Sequence, residues 1–435
     1  MGESSVNSGQ RLAAFRYRDF RLLWTGYLLS GTGSQMQLIA VNWHVFELLQ
    51  GKTYEVQLLG RTIALGADAL GLGTLGLMRI LPIFLFALLG GMLADARDRR
   101  KLLMLTHAGA ALFAGTLALL TLSGHESLLA IYLLTAADAA MGALSAPAEQ
   151  ALVPNIVARE HVSNAVSLNT LLWYLATTIG PALAGVLVGR FGVGSVYALN
   201  AISFTAVIIM LARMTYRGRV ENGISGMSWT ALKEGILFTY HEKMIWSTML
   251  LDFLATFFAS ARTMLPLVAT EVLGLGVEGY GLLATAQPVG AVIAGAVLAM
   301  RRDIHRQGVV LLASVAVYGA ATALFGLSTH LGLSYFLFGL TGAGDTVSTV
   351  IRGTIRQLMT PDRLRGRMTG VNMVFFSGGP QLGELEAGLV ASVFGAPAAI
   401  VSGGLLTVLL TIWLAARYPR LRRFTRADML KQSVA

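Results

Sequence analysis

Two stretches decide the fold. Asp138 stands in an apolar run that ends Glu149-Gln150-Ala151-Leu152-Val153-Pro154, and Asp345 stands in another that ends Arg356-Gln357-Leu358-Met359-Thr360-Pro361. A shift of 207 positions lays Asp138 on Asp345, Gln150 on Gln357 and Pro154 on Pro361. The run that follows repeats as well, shifted by 203: Asn169 falls on Asn372, Gly180 on Gly383, Ala184 on Ala387 and Gly185 on Gly388. The chain is an internal duplication, and both copies carry an ionisable group at the same depth in an apolar segment. That is the layout of a membrane carrier.

Composition agrees. The 435 residues are 55% hydrophobic and 13% charged, too few charges to cover a water-exposed surface, so the solvent for most of the chain is lipid. The 49 glycines suit closely packed membrane helices. With no cysteine, disulfides, thiolate chemistry and cysteine-held metals are excluded. The N-terminal segment is polar and basic as far as Arg21. The apolar run after it is too long for a cleaved signal peptide and reads as an uncleaved first helix. Met1-Gly2-Glu3-Ser4-Ser5-Val6 lacks the Ser or Thr that myristoylation needs at the sixth position.

A bilayer core of ~30 Å needs about 20 apolar residues per helix. Twelve such runs are expected, at 20–48, 70–94, 101–123, 128–151, 163–188, 194–213, 243–271, 279–300, 308–328, 331–353, 367–391 and 395–416. The seventh is the least apolar, since it contains Asp252 and Arg262. With both termini cytoplasmic, the cytoplasmic segments between these runs hold 28 of the 33 Lys and Arg residues. The exceptions are Lys52, Arg61, Arg79, Arg190 and Arg262. This asymmetry predicts the orientation and accounts for the net charge of +10 without nucleic acid. It counts Arg352 and Arg356 among the bases of a cytoplasmic loop.

The polar stretch 214–242, with Arg217-Gly218-Arg219, Glu221-Asn222-Gly223 and Lys233-Glu234, is expected to link a six-helix half, 1–213, to a second half with a cytoplasmic tail, 243–435. The stretch from Gln50 to Ala69 mixes apolar and charged residues, and reads as a short interfacial helix or as an extended start to the second span.

The strongest local signal is Gly90-Gly91-Met92-Leu93-Ala94-Asp95-Ala96-Arg97-Asp98-Arg99-Arg100-Lys101. Paired glycines let a neighbouring helix approach. Asp95 ends a helix, where it meets a base or the N-terminal dipole of another helix. A plain positive-inside turn explains the bases but not the Gly-Gly-x-Leu-Ala-Asp before them, so the segment reads as a conformational latch.

These residues resemble the loop signature of the major facilitator superfamily, Gly-x-Leu-Ala-Asp-Arg-x-Gly-Arg-Arg, through Gly91, Leu93, Ala94, Asp95, Arg99 and Arg100. Asp98 replaces the usual glycine and Ala96 the usual arginine. In the second copy the turn from Gly295 to Met300 keeps the glycine and Leu-Ala but has Met300 in place of the aspartate. Gly180-Pro181-Ala182-Leu183-Ala184-Gly185 looks like the exporter signature Gly-Pro-x-x-Gly-Gly, with Ala184 for one glycine; ordinary small-residue packing is the alternative. In the second copy Glu384 replaces Pro181 and Glu386 replaces Leu183, and Glu384 is expected near the external end of the eleventh span. Phe15-Arg16-Tyr17-Arg18-Asp19-Phe20, the segment from Pro147 to Gly185, and Arg365-Gly366-Arg367 resemble the bacterial drug and siderophore exporter branch. The likeness covers residues 12 to 420 or so.

Many antiporters of the superfamily place an arginine in the fourth span four residues before a glycine. Here Asp138 holds that place before Gly142, so a basic partner is expected elsewhere, from Arg79 in the second span or Arg262 in the seventh. Asp138 lies ~18 Å along a helix from Gln150, near mid-bilayer. An ionised carboxylate there costs at least ~2.5 kcal/mol, so it needs a base, a water-filled cavity or a proton. Asp138 and Asp345 are thus candidate proton-coupling groups; a structural ion pair is the alternative. The superfamily likeness places the first, fourth, seventh and tenth spans around a central cavity. Gln35, Gln37, Asn42 and His44 in the first span suit a substrate lining or bonds to neighbouring helices.

No enzyme is expected. Gly71-Leu72-Gly73-Thr74-Leu75-Gly76 matches a dinucleotide fingerprint, but no strand precedes it, and it reads as helix-packing glycines. A P-loop and metal-ligand spacings are absent from the sequence, and no cofactor is expected. The resemblance implies twelve helices in two pseudo-symmetric six-helix bundles, an all-α membrane protein. It implies a monomer in the bacterial inner membrane that exports a small amphipathic drug, macrolide or siderophore against protons, without nucleic acid. Uptake, lysophospholipid transport, or a membrane sensor or scaffold without transport are the alternatives.

Overall fold

A computed structural model describes residues 12–58, 61–217, 229–301, 304–361, 364–425 and 428. The myristoylation segment, Gly218 to Gly223 and the Arg302-Asp303 pair lie outside them. The chain forms α1 (Arg18–Leu49), a hairpin of β1 (Thr53–Leu58) and β2 (Arg61–Gly66), α2 (Ala67–Ala96), α3 (Arg99–Leu122), α4 (Leu128–Leu152), α5 (Val162–Phe191) and α6 (Val193–Arg213). Then come α7 (Trp229–His241), α8 (Lys243–Phe258), the three-residue α9 (Leu265–Leu267), α10 (Val277–Met300), α11 (Gln307–Leu327), α12 (Leu331–Met359), α13 (Arg365–Phe394), α14 (Ala396–Arg417) and a short α15 (Pro419–Arg423).

Among the described residues, nine helical segments are long and apolar enough to cross a membrane. The other three expected spans are the helices α1, α12 and α13, of 32, 29 and 30 residues. They are long enough but carry too many polar groups, among them Asn42, Asp345 and Glu384. Apolar surface such as Leu105 and Leu119, each 71% exposed, faces outward, where hydrocarbon solvates it.

Two expectations are corrected. The Gln50–Ala69 stretch is not a helix. It is an antiparallel hairpin with Thr53 opposite Gly66 and Leu58 opposite Arg61. Thr53, Val56, Thr62 and Ile63 are β-branched, which favours paired strands over a helix. The tenth span does not stop at 353; α12 runs on to Met359, so Arg356 lies in the helix with Arg352 and not in a loop. The expected linker also contains α7, of 13 residues.

The seventh span is broken. After Phe258 the chain passes through a tight turn at Arg262–Met264, then α9 and a wide turn at Val268–Val272. Pro266 sits in the first turn of α9, where its missing N–H costs least. A Cβ at Gly383 or Gly403 would collide with the carbonyls of Phe257 or Phe258, so α13 and α14 press against the break. The freed groups find partners: the Ala259 carbonyl accepts from the Tyr318 hydroxyl at 3.2 Å, and the Ser260 hydroxyl donates to the Pro380 carbonyl at 3.3 Å.

The chain divides into two compact units, Met1–Val41 with Leu81–Met227, and Asn42–Ile80 with Ser228–Ala435. Each has its own core: Phe20, Leu103, Leu152 and Leu211 in the first, Leu251, Leu311, Ile355 and Leu414 in the second. The last turns of α1, the hairpin and the first half of α2 thus belong with the second unit. The reason is visible at Gly73 and Gly76, where an added Cβ would lie 2.9 Å from Gly388 Cα and 2.7 Å from Glu384 Cβ. That glycine run packs α2 against α13.

Candidate functional site

The second unit holds two buried charge clusters. In the first, Arg352 on α12 forms an ion pair with Asp252 on α8; their side chains are 2% and 5% exposed. The same guanidinium reaches Asp345 at 3.5 Å, and Asp345 is 45% exposed. Thr349 lies between them, accepting from Arg352 at 2.8 Å and donating to Asp345 at 3.5 Å. One base is therefore shared by a sealed carboxylate and an accessible one. Removing either partner of such a buried pair costs about 3–5 kcal/mol, because the other charge stays in a poor solvent.

Asp345 has its basic partner, Arg352, on its own helix. The signal was in the sequence. Positions 345 and 352 are two helical turns apart and share a face. Counting Arg352 among the cytoplasmic bases turned a buried base into a loop base and hid the pairing.

In the second cluster Arg79 on α2 pairs with Glu384 on α13 at 3.3 Å, with side chains 11% and 12% exposed. Its other nitrogen donates to the Asn42 side-chain oxygen at 2.8 Å. Arg262, at the break of the seventh span, and Tyr280 on α10 lie within electrostatic reach of both Arg79 and Glu384. Tyr280 is fully buried and stacks on Trp43, centroids 6.1 Å apart. Glu384 lies ten residues before the end of α13, about 15 Å along the helix.

In the first unit the sequence candidates separate. Asp138 is half-buried on α4. Gln37 is 5% exposed and its side-chain oxygen accepts from the fully buried Asn200 at 2.9 Å, a bond between α1 and α6. Gln35 packs where α5 meets α1: a Cβ on Gly180 would lie 2.6 Å from Gln35 Cβ. Gly180, Pro181, Ala184 and Gly185 are all buried on that face of α5. Glu149, which the sequence reading passed over, accepts from Ser145 at 2.7 Å.

The loop motif splits its duties. Arg99 donates to the carbonyls of Ala94 and Ala151, at the ends of α2 and α4, at 3.1 and 3.5 Å. Arg100 donates to the carbonyl of Met214, just past α6, at 2.9 Å. Two guanidiniums thus sit on three helix C-termini, where the macrodipole is negative. Asp98 caps α3 through the Lys101 N–H at 3.2 Å, which is work the usual glycine does not do. Asp95 is half-exposed and 4.0 Å from Arg99. A Cβ on Gly90 would lie 2.6 Å from the Ala143 carbonyl, whereas Gly91 has nothing within 4 Å. Among the described residues no group of His, Asp and Glu is arranged to hold a metal.

Twelve spans built from a duplicated unit, with a broken seventh span and charges buried inside, define a transporter of the major facilitator superfamily. The chain belongs to its transmembrane secretion effector family, whose pattern it matches over residues 9–434. The enterobactin exporter EntS of Salmonella typhimurium is 28% identical over 344 residues, 79% of this chain and 82% of the relative. The EntS of Citrobacter koseri is 29% identical over 345 residues, again 79% and 82%. Among solved structures, a bacterial homolog of the human lysosomal transporter Spinster, inward-facing and occupied, superposes with a TM-score of 0.68 at 15% identity, covering 95% of this chain and 97% of that one. A D-xylose–proton symporter superposes with a TM-score of 0.70 at 12% identity, covering 94% and 99%. Likeness at these identities speaks to the fold alone.

Proposed function

We propose that this protein exports a small amphipathic molecule from the cytoplasm in exchange for protons. It works as a single chain in the bacterial inner membrane, both termini cytoplasmic. The export direction rests on the enterobactin exporters among its relatives and on the small-residue face of α5. The observation that carries the coupling is Arg352, held between sealed Asp252 and half-exposed Asp345.

Asp345 is half-exposed and Asp252 is sealed, so we assign the proton exchange to Asp345. With a proton on Asp345, Arg352 belongs to Asp252 alone, and α8 and α12 are joined by a neutral pair. When the proton leaves, Arg352 is shared between two anions, one on the facing helix and one on its own. The proton thereby alters how α8 is held to α12, a packing change of the kind alternating access requires. An inward-directed proton then supplies ~2.3 kcal/mol per 100 mV of potential. Asp138, Arg79, Arg262 and Glu384 are read as cavity groups, and the Gly90–Arg100 segment as the cytoplasmic latch.

The test is transport into inverted vesicles under an imposed pH gradient, with enterobactin and a macrolide as first substrates. Asp345→Asn should abolish gradient-driven accumulation while leaving substrate-for-substrate exchange intact. Accumulation unchanged in Asp345→Asn would remove the coupling assignment. Wild type that moves neither substrate class under any gradient would count against the exporter reading.

A further inference from the structure

Where α11 begins and α14 has ended, the second unit builds a basic cavity of about 320 Å³, lined by Arg306, Val309, Arg422, Arg423, Phe424 and Thr425. That volume is at the lower end of the range for small-molecule sites. Two segments far apart in the chain form its walls, and Gly308 locks them together. No Cβ fits there beside the Leu421 carbonyl, and the Gly308 N–H donates to the Phe424 carbonyl at 3.1 Å. Leu421 and Phe424 are anchored in the core of the unit. The turn after α15 is closed by Asp428, which accepts from the Thr425 N–H at 3.0 Å and from its hydroxyl at 2.8 Å. The cavity is therefore held by backbone contacts and a capped turn, not by its charges.

The lining has three guanidiniums and no carboxylate. Among the described residues none of the three forms an ion pair with an acid. Orienting a span needs bases on one side of the membrane, but not three of them around one cavity, where they repel. We infer that this cavity holds the phosphodiester of an anionic phospholipid. Guanidiniums fork onto phosphate oxygens, and basic pockets between spans at a membrane surface take such headgroups. The place suits a lipid. Gln307 opens α11 and Arg417 closes α14, so the cavity lies at the rim of two spans, at headgroup level. Val309 in its wall is 44% exposed, and Ile412 and Trp413 near the end of α14 are exposed as well, which offers apolar surface to acyl chains. A free phosphate would make no use of that surface.

The experiment titrates the full-length protein in detergent with dioleoylphosphatidylglycerol and, separately, with dioleoylphosphatidylcholine, and counts bound lipids by native mass spectrometry. The first phosphatidylglycerol should bind about tenfold more tightly than the first phosphatidylcholine, the scale of one charge-assisted hydrogen bond. Arg306→Gln/Arg422→Gln/Arg423→Gln should erase that preference. Lys243→Gln/Arg417→Gln/Arg420→Gln removes the same charge from exposed positions outside the cavity, and should keep it. If the first triple variant does not fold, Arg306→Gln alone is read, and the preference should fall roughly threefold. A preference that is absent from wild type, survives the cavity variant or is lost equally in the control would overturn the inference. Displacement of the lipid by millimolar inorganic phosphate would overturn it too, and assign the cavity to a free phosphate. The measurement needs neither gradient nor cargo, so its outcome leaves the transport reading untouched.

Discussion

The two copies of the repeated unit keep one aspartate in register and then part company. Seven and eleven residues beyond Asp138, α4 carries Ser145 and Glu149; at the same offsets beyond Asp345, α12 carries Arg352 and Arg356. The second copy therefore places a base on the face of its aspartate and ties α12 to α8 through it. The first copy places a hydroxyl there, and that hydroxyl serves an acid on its own helix. The turns differ in the opposite sense. Gly90 lies tight against the Ala143 carbonyl, whereas its counterpart Gly295 has only the Thr346 methyl, 4.0 Å from where a Cβ would be. Duplication has kept the helices while the buried charges and this turn have diverged.

The largest break in this comparison should come from Arg352→Gln. It strands the 4%-exposed Asp252 and should cost about 3–5 kcal/mol, read as a lower unfolding temperature in detergent. Asp252→Asn in the same chain should recover most of the loss; a single variant as stable as wild type would mean that the pair ties nothing. A smaller contrast is expected between the turns. Gly90→Ala should cost about 1–3 kcal/mol by overpacking against α4. Gly295→Ala should be neutral or stabilising by roughly 0.5–1 kcal/mol, since the helix gains a better former in open space. Equal effects of the two in the same unfolding assay would erase the asymmetry. The smallest effect belongs to Ser145→Ala, which removes one hydrogen bond to Glu149 and should cost about 1 kcal/mol. A loss on the scale of Arg352→Gln would show that the first copy also depends on its polar face.

Much of this was legible beforehand because hydropathy and duplication are long-range signals. Twelve runs, the packing glycines at 73 and 76, and the small-residue face of α5 follow from residue type and spacing. The hairpin was missed because Tyr54, Val56 and Ile63 also suit an interfacial helix, and only the strand pairing separates the two. The Arg352 pairing was missed because a base near the end of an apolar run is ordinarily a loop anchor. Its partner Asp252 is 100 positions away, and no local pattern connects them. The pairing of Arg79 with Glu384 was not legible for the same reason: which carboxylate meets a membrane arginine depends on helix neighbours, and spacing along one helix does not contain them.

Three helices, α1, α12 and α13, fall short of the apolarity that the other nine spans reach. This bears on how the chain is made. A Lys, Arg or Asp at the centre of an inserting helix weighs about 2.5–3.5 kcal/mol against entry, and α12 brings Asp345, Arg352 and Arg356 together. Asp252, in α8, leaves the ribosome before them and waits in the bilayer as a lone acid. Arg352 is what cancels it, so each helix lowers the barrier for the other. The second half is therefore expected to insert as a coupled pair, with α8 unable to settle until the helix three spans later has been synthesised.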